Sequence, residues 1–363
     1  MFEFRSAVRA LPDYDARDMS DAGVRVRAHR NEAAFAPPNH VIEAVRSIDP
    51  SLFGRYPSAI SRKMIKALSK RLDTPRDQLA IGNGADELLL ALSRIALDPG
   101  DNVLLIRPAF GMYGRAAALA GATIRELRHT RRWVLDPPAL VKLSDNRTKL
   151  VFLGHPNNPT GETLSPDALE FVAAAIPQAL VIVDETYLSF AGTSLIRYAG
   201  APTNVVIVGS LSKVCALAGM RVGYAAAAPQ VARMLRRVIA PYPVGLASLV
   251  AADAYLRGGR ATVRFEERMK RQISKSLATI VLSLKPFAAG LWSGPGNFIL
   301  VELDRDAKPV AKALRRCGIG IRTFTDPILA RYMRLCALDD AGTSELVRGL
   351  RSTLAVPLQG VAR

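Results

Sequence analysis

Cysteine, histidine and aromatic residues are scarce in this 363-residue chain, and so are acidic ones. The three cysteines, Cys215, Cys317 and Cys336, form an odd set with no paired spacing. That argues against a disulfide framework or a thiolate metal site and points to a reducing compartment. The four histidines, His29, His40, His129 and His155, are scattered, none with a partner at metal-ligand spacing, so no metal is expected. No charge-free apolar stretch approaches the length of a membrane span, and the opening MFEFRSAVRALPDYD has no apolar signal core. The expectation is a soluble cytoplasmic protein with no membrane partner. Asp and Glu number 32 against 49 Lys and Arg, a formal charge of +17. Nucleic acid, acidic lipid or anionic small molecules would all answer to that charge. The basic residues are spread along the chain, however, and aromatics at 6% are too sparse for a stacking platform. A nucleic-acid partner is therefore not expected.

Hydrophobic residues make up 49% of the chain, enough to bury one large domain and a smaller one. Residues 1–33 are polar, without a sustained period, and read as an N-terminal arm. Over 34–245 the chain alternates apolar runs with helical patterns. Asn39 can cap a first helix, a second helical pattern runs to Leu72, and Tyr56, before a proline, is held extended. LAIGN, NVLLIR, KLVFLG, ALVIVD and NVVIVGS are continuous apolar runs of the kind that suits strands covered on both faces. An α/β fold with a mainly parallel, helix-flanked sheet follows. PYPVG breaks the pattern, and 246–363 reads as a smaller α/β unit. Its helices are expected over 246–256 and 261–284, its strands at NFILVEL, IGIRTF and RYMRLCAL, with a closing helix at SELVRGLRSTL.

In open parallel sheets, residues just past the carboxyl ends of strands converge on one crevice. Lys213 follows the run NVVIVGS, where partial desolvation would make its amine a nucleophile toward an aldehyde. A solvated strand end looks the same. GNGADE sets two glycines before a helix N-terminus, a place for a phosphate, but Glu87 stands where a dinucleotide fingerprint wants a third glycine. Asp184 ends ALVIVD, where a carboxylate needs a cation or donors. HPNNPTG is a rigid turn presenting Asn157 and Asn158, and Arg221, Arg322 and Arg334 stand near strand or turn ends.

Taken together and in this order, RYP (55–57), GNGADEL, PAFGMY, HPNNPTG, VIVDETY, SLSK and GMRVGY make the chain resemble the fold-type I pyridoxal-phosphate aminotransferases. Within them it is most similar to the histidinol-phosphate aminotransferase branch, over residues 31–334. The resemblance implies a fold-type I large domain with a smaller C-terminal domain, and pyridoxal 5'-phosphate as cofactor. It makes Lys213 the Schiff-base nucleophile and proton carrier, Asp184 the partner of the pyridinium nitrogen, and Asn157 and Tyr187 hydrogen-bond partners of the ring oxygen. Phe110 would stack on the ring, where the family usually has tyrosine. Gly84, Ala85 and Asp86, the hydroxyls of Ser210 and Ser212, and Arg221 would hold the phosphate. Tyr56 would reach the neighbouring subunit's cofactor, which implies a homodimer.

Three departures bear on the substrate. The family's NENPYGP reads NEAAFAP, putting Ala33 and Phe35 where it has asparagine and tyrosine. His155 replaces the first asparagine of NPNNPTG, and RLCALD (334–339) replaces RITVGT. Phe35, Arg322 and Arg334 are the expected substrate-binding residues, the arginines as forks for a carboxylate or phosphate. The expected activity is amino transfer between an anionic amine, histidinol phosphate among the candidates, and a 2-oxo acid such as 2-oxoglutarate. Decarboxylation of an O-phosphorylated amino acid is the alternative. A basic binding protein on a retained catalytic fold is a third reading, opposed by the intact Lys213 and Asp184.

Overall fold

The computed structural model describes residues 2–11, 21–128, 133–188, 192–200 and 204–355. Of the strands, β1 (Val26–Arg27) lies in the expected arm. Next come β2 (Leu79–Asn83), β3 (Asn102–Arg107), β4 (Thr123–Arg128), β5 (Thr148–Gly154), β6 (Leu180–Asp184), β7 (Val205–Ser210) and β8 (Val222–Ala226). These seven form one sheet in the order β2-β8-β7-β6-β5-β3-β4. The block β4-β3-β5-β6-β7 is parallel throughout, while β8 runs antiparallel to both β7 and β2. Residues 103–106, 150–153, 181–183 and 205–208 are all buried, as two-sided coverage of unbroken apolar runs requires.

Short α1 (Ser6–Arg9), α2 (Asn39–Arg46) and α3 (Ser58–Leu72) precede the sheet. Asn39 does not cap α2 as expected; it is the first helical residue, and Pro38, which has no N–H to need a partner, holds the preceding extended position. The crossover and flanking helices are α4 (Gly84–Ala96), α5 (Gly111–Ala120), α6 (Pro137–Val141), α7 (Pro166–Ala175) and α8 (Pro229–Val238). Asp136 and Ser165 cap α6 and α7, each with a proline in the first turn, where its missing N–H costs nothing. Two apolar clusters pack on the large sheet's residues, and one of them continues into the smaller unit.

After PYPVG come α9 (Leu246–Arg257) and the long α10 (Gly259–Leu284). Strands β9 (Ala288–Ser293), β10 (Phe298–Leu303) and β12 (Tyr332–Cys336) make an antiparallel sheet in the order β12-β10-β9. Helices α11 (Ala307–Arg316) and α12 (Asp340–Leu354) complete the unit. The strand expected at IGIRTF shrinks to β11 (Ile319–Gly320), which pairs in parallel with β1. Beyond it, Arg322 makes a single antiparallel bridge to Arg334. Part of the expected arm is thus sheet structure attached to the small unit.

Candidate active site

Sheet register decides which side chains can meet. Gly154 faces Asp184, Asp184 faces Val208, Ser210 faces Gly223, and Asn83 faces Val222. The ends of five strands and the turn after β2 therefore line up on one edge.

Asp184 is buried there, with both carboxylate oxygens engaged. Oδ1 accepts from Thr186 N at 2.9 Å and Oδ2 from Tyr113 Oη at 2.8 Å. Burial pushes its pKa up, and the bonds from Thr186 and Tyr113 oppose that shift. None of the groups that shift it most is cationic, so a cation arriving at this carboxylate would offset its desolvation.

Lys213 lies in the loop after β7, half-buried. Its Nζ donates to Arg30 O at 3.4 Å and stands 5.4 Å from the centroid of the Tyr187 ring. Tyr187 Oη accepts from Asn31 Nδ2 at 3.2 Å, and its ring meets Phe298 edge-on at 5.1 Å. Asn157 spends both amide N–H bonds inside its own neighbourhood, on Pro108 O at 3.0 Å and Thr160 Oγ1 at 2.9 Å. Phe110 stands at the N-cap of α5, edge-on to Tyr113 at 5.7 Å.

Close approach at the GNG turn is made possible by absent side chains. Gly84 opens α4 at φ +79°, and a Cβ on it would come within 2.4 Å of Arg221 Nη2. A Cβ on Gly223 would meet Gly84 C at 2.4 Å and Ala85 N at 2.5 Å. Arg221, itself left-handed at φ 51°, donates to Asp86 Oδ2 at 3.1 Å. Glu87, the residue that breaks the dinucleotide fingerprint, accepts from Asn83 N at 2.6 Å and so ties down the turn. Ser210 Oγ accepts from Ser212 N at 3.1 Å, and Ser212 Oγ is buried with no partner among the described residues. A helix N-terminus without a side-chain cap, two hydroxyls and a guanidinium form the donor set a phosphate requires. With a lysine amine, a buried carboxylate and a stacking ring beside it, this set fits pyridoxal phosphate.

Arg334 is buried on β12 and donates to Asn158 Oδ1 at 2.6 Å and His29 O at 2.8 Å. Backbone bonds of 2.8 and 3.1 Å tie it to Arg322, whose Nη1 is buried with no partner among the described residues. Three further positions make contacts of their own, and one of them, His155, adjoins the constellation, its N donating to Asp184 O at 2.8 Å. Phe35 packs under the Arg268 guanidinium at 4.2 Å and lines an open cleft of about 480 Å³ with Arg271, Lys275, Asp339 and Asp340. His155 is a staple: Leu164 N donates to Nδ1 at 3.0 Å, which leaves the proton on Nε2 for Thr193 O at 3.2 Å. Burial lowers its pKa, so it is a neutral structural link. Tyr56 is on the surface, stacked on Tyr242 at 4.8 Å.

Sequence reasoning missed Tyr113, Asn31 and the carbonyls of His29 and Arg30. Tyr113 stood within PAFGMY, three residues past Phe110; the carbonyls have no side-chain signature. Among the described residues no cluster of three or more His, Cys, Asp or Glu could hold a metal ion, and no helix is long and apolar enough to cross a membrane.

The aminotransferase class I and II family model matches residues 29–350. Histidinol-phosphate aminotransferase 2 of Pseudomonas aeruginosa is 32% identical over 332 residues, covering 88% of this chain and 87% of its own length. The histidinol-phosphate aminotransferase of Shewanella oneidensis is 32% identical over 340 residues, covering 93% and 85%. Among solved structures, histidinol-phosphate aminotransferase from Sinorhizobium meliloti in complex with pyridoxal-5'-phosphate superposes with a TM-score of 0.88 at 23% identity over 98% of both chains. Aspartate aminotransferase from Thermus thermophilus with maleate gives 0.83 at 22% identity, covering 98% of this chain and all of that one (100%). These two structures bear on the fold, which is that of the fold-type I transferases.

Proposed function

We propose that this chain, which belongs to the class I and II aminotransferase family and is a pyridoxal-phosphate-dependent aminotransferase similar to the histidinol-phosphate enzymes, moves an amino group between a phosphate- or carboxylate-bearing amine and a 2-oxo acid. Histidinol phosphate is the first candidate donor and 2-oxoglutarate the first acceptor. One observation carries the choice of an anionic substrate. The Arg322–Arg334 backbone bridge makes the two arginines cross-strand partners, and Arg322 Nη1 is buried there without a partner among the described residues. A buried unpaired guanidinium N–H is costly, and a substrate oxyanion would satisfy it.

Bound pyridoxal phosphate supplies an aldehyde for the amine and a ring that accepts electrons from the substrate α-carbon. The chain's own groups do the rest. Lys213 Nζ, leaving Arg30 O, would serve as the base that takes the α-proton and the acid that gives it back. Asp184 would partner the protonated ring nitrogen, whose charge would offset the burial that raises the pKa of this carboxylate. Asn157 and Tyr187 would hydrogen-bond the ring oxygen, Phe110 would stack on the ring, and the cup of Ala85, Asp86, Ser210, Ser212 and Arg221 would hold the phosphate. Tyr56 and Tyr242 form an exposed stacked pair near exposed Leu52 and Phe53, a surface that supports a homodimer with Tyr56 serving the neighbouring site.

Cofactor-loaded protein incubated with histidinol phosphate and a panel of amino donors tests the proposal. Conversion to the pyridoxamine form, read in the visible spectrum and lost in Lys213→Ala, is the expected result. No conversion with any donor refutes it. Carbon dioxide release without an oxo acid would instead assign decarboxylation of an O-phosphorylated amino acid.

A further inference from the structure

Tyr113 is 2% exposed and stands on the first turn of α5. Its ring stacks on Phe152 at 5.2 Å and 9°, and meets Phe110 edge-on at 87°. Its hydroxyl donates to Asp184 Oδ2 at 2.8 Å. We propose that Tyr113 is a positioning residue: its O–H, held in place by two aromatic neighbours, orients the Asp184 carboxylate toward the ring nitrogen of the cofactor. The inference rests on the cofactor reading above and adds to it a residue outside the expected site set.

Carboxylate groups turn easily about their last torsion, whose wells are broad. Asp184 is restrained at both oxygens, by Thr186 N within its own turn and by Tyr113 from another element. Only the second restraint comes from outside the β6 end, so it alone holds the carboxylate relative to the stacking ring. A single helical turn carries Phe110 and Tyr113, which links the group covering the cofactor's face to the group orienting its nitrogen partner. The donor direction is unambiguous. Burial and the neighbouring carboxylate both disfavour loss of the phenolic proton, so the hydroxyl donates and Asp184 accepts. A hydrogen bond to an ionised buried carboxylate also favours its charged form, the form that keeps a ring nitrogen protonated.

Tyr113→Phe deletes one oxygen and keeps both ring contacts. In the apoprotein its melting temperature should stay near wild type, which separates positioning from folding. Its Kd for pyridoxal phosphate should rise about tenfold or more, the range for a lost hydrogen bond to a charged group. The pH midpoint of the bound cofactor's visible absorbance should move by about one unit. kcat should fall while KM for the amino donor stays within about twofold. In an Asp184→Asn background the same substitution should change Kd by less than about twofold, because the two act as one unit. Wild-type affinity and an unmoved midpoint in Tyr113→Phe would overturn the proposal while leaving the aminotransferase reading intact. So would an undiminished effect in the Asp184→Asn background, a measurement that does not depend on how well the single variant folds. Failure of the wild-type protein itself to take up pyridoxal phosphate would overturn both.

Discussion

Replacing Gly223 with alanine tests whether the GNG turn is a binding surface rather than a mere bend. Gly223 lies on β8, opposite Gly82 on one side and Ser210 on the other, and alanine's Cβ would sit 2.4 Å from Gly84 C and 2.5 Å from Ala85 N. An ordinary contact needs about 3.5 Å, so the turn must retreat by roughly 1 Å. A phosphate hydrogen bond of about 2.9 Å would then stretch beyond useful reach. Losing two such charge-assisted bonds, at roughly 1.5–3 kcal/mol each, gives about 3–6 kcal/mol, or about 10²–10⁴ in cofactor affinity. Overpacking alone costs about 1–3 kcal/mol of stability. The expected signature is therefore a loss of cofactor affinity larger than the loss of apoprotein stability. Titration of the apoprotein with pyridoxal phosphate, alongside urea unfolding, measures both. A Gly223→Ala protein that binds within about threefold of wild type would show that the turn does not hold the phosphate.

Three further outcomes are expected. Burial raises Glu185 to a pKa of about 7, so between pH 4.5 and 7 the native state keeps a proton the unfolded chain has released, and stability falls as pH rises. Glu185→Gln removes that slope, and its unfolding free energy relative to wild type should climb by up to about 3 kcal/mol across this window; parallel curves would refute it. The depressed pKa of His29, about 4, acts oppositely but equally in both proteins and cancels in the difference. Arg334→Lys gives up the planar fork that reaches Asn158 and His29 O, so KM for anionic donors should rise at least about tenfold with a smaller change in kcat; a KM within about twofold would remove Arg334 from the substrate site. Mixing Lys213→Ala with Tyr56→Ala subunits should restore about a quarter of wild-type activity through hybrid dimers with one intact site, and no recovery would exclude shared sites.

What was legible in the sequence had a side chain at a predictable place. Asp184, Ser210 and Lys213 end or follow apolar runs, and strand ends converge in such sheets whatever the loops do. The direction of β8 was not legible, because VGYAAAA is equally apolar in either sense. Phe35 and His155 were placed by motif alone; their contacts with the Arg268 guanidinium and Thr193 O join segments far apart in the chain and could not be read from it. The carbonyls of His29 and Arg30 lie 305 and 183 residues from the side chains they receive, a separation only the folded chain can close. Tyr113 failed to register because a tyrosine on an apolar helix turn looks like core until its hydroxyl partner is known.

The reversed direction of β8 has a consequence for how the lysine can change over time. Because Ser210 and Gly223 are opposite partners and Leu211 N bonds Val222 O at 3.0 Å, the lysine-bearing excursion is a noose cinched at its neck. Lys213 sits three residues from that knot, so its location is inherited from two strands rather than from the loop's own composition. A second tie lies inside the noose, where Ala216 N bonds Lys213 O at 3.1 Å and Leu217 N bonds Leu211 O at 3.3 Å. A scaffold of this kind can trade one amine for another while its reactive nitrogen stays where the sheet put it.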